Sequence, residues 1–81
     1  MANKAYTYNI APEADNKAFQ DVCSLLMSKL ENAKAEKMLV DVDGSLIQVY
    51  KTPNGEIVVI NDYEVDALYI DSDVNLNKIL Q

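Results

Sequence analysis

The chain has 81 residues, 49% of them hydrophobic and 25% charged, with two Gly, two Pro and a single Cys. This composition predicts one small folded domain over residues 1–81 and excludes an internal disulfide or a disordered tail. A net charge of −6, with seven Lys and no Arg, weighs against direct contact with nucleic acid.

Residues 1–15 lack a continuous apolar run, and the longest apolar stretches, such as Ile57 to Ile60, are far too short to cross a bilayer. A cytoplasmic protein with no membrane association is expected. Residues 5–10, AYTYNI, alternate weakly and read as a short strand or a loose arm. Asp15 or Asn16 then offers a helix cap. From 16 to 35, Phe19, Val22, Cys23, Leu26, Leu30 and Ala33 recur at three- and four-residue steps, which predicts an amphipathic helix.

Beyond that helix the period changes to two. MLVDV, SLIQVYKT and EIVVIN are joined by Asp43-Gly44 and by Pro53-Asn54-Gly55, dipeptides that favour tight hairpins. Two-residue turns at 43–44 and 54–55 set Val42 opposite Ser45, Val40 opposite Ile47, Met38 opposite Val49, Val49 opposite Ile60 and Lys51 opposite Val58. One face then gathers Met38, Val40, Val42, Ile47, Val49, Val58 and Ile60 for the helix to cover. Residues 65–71 read as a further strand, with a helix as competitor, and residues 72–80 as a short helix capped by Ser72 or Asp73 that buries Val74, Ile79 and Leu80. The expected fold is α+β: one main N-terminal amphipathic helix on a three- to four-stranded antiparallel meander, closed by a short C-terminal helix.

In that register the opposite sheet face holds Leu39, Asp41, Leu46, Gln48, Tyr50, Ile57, Val59 and Asn61, with Leu68 and Ile70 beyond. It is too apolar for a solvent-facing surface, so either the chain's own termini or another molecule should cover it.

Two chemical readings bear on residues 37–47, and a third on Cys23. The sequence Asp41-Val42-Asp43-Gly44-Ser45 resembles the nucleophile motif of haloacid dehalogenase-like phosphatases. The resemblance implies Asp41 as nucleophile and Asp43 as acid–base, followed by strand–helix units that bring a lysine and a magnesium-binding acidic pair. The residues downstream read as hairpins instead. Asp41, Asp43 and Ser45, like Asp71, Asp73 and Asn75, match the start of a calcium loop, but Leu46 and Leu76 stand where such a loop needs Gly. Solvated turn acids account for both. Cys23 lies in the helix's apolar stripe, and with no His in the chain it reads as a structural thiol.

No enzyme, cofactor or metal is therefore expected. Residues 41–81 hold eight acids against Lys51 and Lys78, whereas residues 1–40 hold five acids and five lysines. An acidic, Tyr-bearing surface beside an apolar face predicts a protein-interaction module that docks on a larger, basic or nucleic-acid-binding partner and blocks or tethers it. The expected contact residues are Leu39, Leu46, Tyr50, Ile57, Val59, Asp62, Tyr63, Glu64, Asp66, Asp71 and Asp73. Two alternatives stand beside this: a phage-type inhibitor, of the anti-restriction or anti-CRISPR kind, whose acids occupy a nucleic-acid site, and a homodimer through the second sheet face.

Overall fold

The computed structural model describes residues 4–80. It is α+β, with a six-stranded antiparallel sheet and two helices. The elements are β1 (Tyr6–Ala11), α1 (Asn16–Lys29), β2 (Lys34–Ala35), β3 (Leu39–Val40), β4 (Leu46–Thr52), β5 (Gly55–Asp62), β6 (Ala67–Ser72) and α2 (Asn77–Leu80). The strand order is β1-β6-β5-β4-β2, with β3 pairing the same side of β4 as β2. The sheet thus exceeds the expected three or four strands, and the main helix follows a strand rather than opening the fold.

Helix α1 starts where the sequence puts it. The Asp15 carboxylate accepts the backbone N–H groups of Lys17 and Ala18 at 2.9 and 3.1 Å, partnering donors that have no intrahelical acceptor. Phe19, Val22 and Leu26 are its buried stripe. The helix ends at Lys29, six residues before the expected boundary. Asn32 takes a left-handed conformation, φ +58°, and turns the chain so that Lys34 and Ala35 pair with Lys51 and Tyr50. The Glu36 N–H extends that edge by donating to the Val49 carbonyl at 2.8 Å. Satisfying backbone groups at the β4 edge prevails over extending the helical period.

Both hairpins differ from the expected register. The first closes through residues 41–45, with Val40 opposite Leu46 and Leu39 opposite Ile47. A two-residue type I′ turn needs positive φ at both centres, and here only Gly44, at +88°, supplies one. Asp43 instead accepts the Ser45 N–H at 2.9 Å. This shift of one residue moves Leu39 onto the Ile47 face and Val40 onto the Leu46 face. The second hairpin turns at Pro53-Asn54, so Thr52 faces Gly55, Lys51 faces Glu56 and Val49 faces Val58. The proline ring holds φ negative and suits the first central position of an ordinary turn. That shift is by two residues, which preserves the faces.

The helix covers the sheet face opposite to the one expected. Tyr50, Ile57, Val59, Leu68 and Ile70 are buried in one cluster with Phe19, Val22, Leu26 and Leu76, while Met38, Val40 and Val42 are exposed. The outer strands account for the choice. Cross-strand rows on the covered face run Tyr8-Ile70-Val59-Gln48, Tyr6-Ser72-Ile57-Tyr50 and Ala11-Leu68-Asn61-Leu46. Rows on the other face run Asn9-Tyr69-Ile60-Ile47 and Thr7-Asp71-Val58-Val49. The central hairpin is apolar on both sides, but β1 and β6 add hydrophobic side chains to one side and polar ones to the other. Burying the first set removes more apolar area from water.

Residues 67–72 form a strand, and Asp66, φ +55°, belongs to the turn before it. The C-terminal helix is confined to Asn77–Leu80, and Asn75 rather than Ser72 or Asp73 accepts the Asn77 N–H, at 2.9 Å. Leu76 is the fully buried residue there, while Val74, Ile79 and Leu80 are half-buried.

Candidate interaction surface

Of the eleven predicted contact residues, Tyr50, Ile57 and Val59 lie under α1 at 0–2% exposure and offer no surface to a partner. Leu46 is half-buried at the margin of the same core. A homodimer through that face has no free surface to use. Leu39 is 55% exposed and continues the row Ile47-Ile60-Tyr69 on the side without helices.

That helix-free face is where the structure leaves an apolar surface. Ile47, Val49, Val58 and Ile60 adjoin one another across β4 and β5, all half-buried. Ile47, Val58, Ile60 and Tyr69 floor a shallow concavity of about 470 Å³ that Asp62, Asp71, Glu56 and Lys4 border. Leaving such side chains partly in water forgoes a share of the about 1.5–3 kcal/mol each gains when fully buried. The sequence pattern alone places these apolar residues in the helix-covered core. The signal against that assignment lies in ALYIDS (β6), where Leu68 and Ile70 alternate with Tyr69 and Asp71.

Charge divides this face into two ends. At one end Lys4 contacts Glu56 at 3.3 Å and Asp73 at 3.2 Å, and Lys51 lies 3.6 Å from Glu36 and 3.7 Å from Glu56. The Glu56 backbone N–H donates to Asp73 at 3.0 Å. That bond, with Lys4, holds the Asp73 carboxyl below its ordinary range. Burial alone would lower the Lys4 pKa, but its bonds to Asp73 and Glu56 outweigh that and raise it. The cations at this end already have partners.

Asp62 and Asp71 have no ion-pair partner among the described residues. Asp71 accepts the Thr7 hydroxyl at 3.0 Å, and Asp62 accepts the Glu64 N–H at 2.9 Å. Tyr69 lies beside both. Burial, then the charges of Asp62 and Asp71, push its phenol pKa up, so the field across this part of the face favours a positive group.

The remaining predicted residues divide between the fold and the solvent. Asp66 accepts the Ala14 N–H at 2.9 Å. Glu64 is exposed in the same turn. Tyr63, 41% exposed, donates its hydroxyl to Asn16 Oδ1 at 2.6 Å. Asp41 accepts the Val42 N–H at 2.7 Å in an exposed hairpin loop, and the strands on either side are antiparallel. No group of three or more Cys, Asp or Glu side chains able to hold a metal ion occurs among the described residues. No helix among them is long and apolar enough to cross a membrane.

Fold and surface together define a small α+β protein with one sheet face closed by a helix and the other left open. Comparison with protein families, curated proteins and solved structures finds no significant match to this chain.

Proposed function

We propose that this protein is a non-enzymatic interaction module that docks on a larger protein through its helix-free sheet face and blocks or tethers it. The observation behind this reading is the contiguous Ile47, Val49, Val58 and Ile60 surface flanked by Asp62 and Asp71, which no described lysine neutralises. Such a surface fits a segment that offers aliphatic side chains and lysine or arginine together. Apolar contact supplies affinity, and the carboxylates supply orientation and rate of encounter.

A narrower form of this reading is a phage-type inhibitor that sets carboxylates in a nucleic-acid site. Asp62, Glu64 and Asp66 cluster at one end of the sheet, in its favour, but Lys4 and Lys51 neutralise the other end. A phosphate mimic needs acids along the whole track, so docking on a basic apolar segment has the better support.

The test is affinity capture from the native host with three baits: the parent chain, Val58→Ser/Ile60→Ser, and Asp62→Asn/Asp71→Asn. A partner held by the parent, lost by the first variant and weakened by the second and by added salt supports the reading. A partner retained equally by all three, with circular dichroism showing each folded, would refute it.

A further inference from the structure

The two edges of the sheet are unlike. The β4 edge is covered by two strands of two residues each, with Lys34, Glu36 and Lys37 among or beside them, and short charged segments of this kind discourage strand addition. The opposite edge is β1, six residues long, whose one described strand neighbour is β6. From Ala5 to Pro12 it has no charged residue, in a chain that is 25% charged.

An open cleft of about 840 Å³ runs along this edge. Residues 7–10 all line it, with Val22 and Leu25 of α1 and Asn77 and Leu80 of α2. Successive strand residues point to opposite faces, so a cleft touched by four in a row follows the backbone edge itself. It offers main-chain donors and acceptors on one side and aliphatic side chains on the helix side.

An extended strand, apolar on alternate residues toward the helix and polar on the others, fits this edge. Strand β1 itself has that pattern: Tyr6, Tyr8 and Ile10 against Thr7 and Asn9. It also belongs to residues 1–40, where acids and lysines balance, so two copies of an otherwise acidic chain meet there with least repulsion.

We propose that β1 is a dimerisation edge, with β1 of a second copy adding antiparallel to it and closing the cleft. A twofold axis perpendicular to the sheet keeps the helices of both copies on the same side. It also requires residues of equal parity to face one another, so Thr7 meets Thr7 or Asn9 of the copy. A bulge at Ile10, where the pairing with β6 shifts register, bounds the regular pairing to Tyr6–Asn9. The helix-free face stays open in such a dimer, so this inference stands independently of the docking reading.

The test is light scattering and sedimentation on the full chain across micromolar concentrations. The parent should reach twice the monomer mass. Thr7→Lys/Asn9→Lys and Thr7→Glu/Asn9→Glu should each remain monomeric with unchanged circular dichroism, and mixing them in equal amounts should restore the doubled mass. A parent that stays monomeric, or a dimer that survives in both the lysine and the glutamate variants, overturns the proposal. If a variant does not fold, amide exchange in the parent decides: slowing of exchange at Tyr6–Asn9 with rising concentration supports the edge dimer, and concentration-independent exchange overturns it.

Discussion

Asn61, fully buried at the end of β5, accepts the backbone N–H of Asp15 on its side-chain oxygen at 2.8 Å, and its nitrogen donates to Asn16 Oδ1 at 2.9 Å. One side chain thereby ties the start of α1 to the sheet. Asn61→Leu leaves the Asp15 N–H without its acceptor, and destabilisation of about 2 kcal/mol is expected. Urea unfolding measures it. Tyr63→Phe removes only the exposed bond to Asn16 and should cost less than about 1 kcal/mol.

Gly55 adopts φ +134°, and a Cβ built there would lie 2.5 Å from the Asp73 Cβ. Gly55→Ala therefore meets both a disfavoured backbone conformation and a clash beside the Glu56–Asp73 bond. A loss of about 1–3 kcal/mol in stability is expected, read as a lower melting temperature.

Two carboxyls are held below their ordinary range: Asp73 by the Glu56 N–H and then by Lys4, and Asp43 by the Ser45 N–H. A depressed folded-state pKa gives stability that is present above the unfolded-state pKa. It is lost as pH falls from the ordinary carboxylate value through the lower folded one. Denaturant midpoints measured down the acid limb should show this decline. Asp73→Asn should reduce the decline and leave the share that Asp43 contributes, since no proton then binds at position 73.

Cys23 is half-buried against the core. Burial pushes its thiol pKa up, opposed in part by the Tyr50 hydroxyl. The thiolate is the reactive form, so iodoacetamide at neutral pH should label the folded chain far more slowly than the urea-unfolded one. Equal rates would show that the thiol is not shielded by the fold.

Much of the local structure is legible in the sequence. The Asp15 cap and the Phe19-Val22-Leu26 stripe require only a helix of ordinary pitch, and the β-branched runs in residues 46–52 and 55–62, bounded by turn residues, require only a strand. These signals depend on neighbours within a few positions. The candidate surface was legible in part: of the eleven residues expected there, Leu39, Asp62 and Asp71 lie on the open face, whereas Tyr50, Ile57 and Val59 lie under the helix.

Strands β4 and β5 are hydrophobic on both sides, so no local pattern within them says which side a helix will take. The periodicity and composition of the chain determined that there would be an amphipathic helix, an antiparallel sheet and an acidic C-terminal half. Only the tertiary structure decided which face was closed, because that depended on the pairing of β1 and β6, strands far apart in the chain. Their register set Tyr8 and Ile70 on one side and Thr7 and Asp71 on the other, and water exclusion followed the larger apolar area.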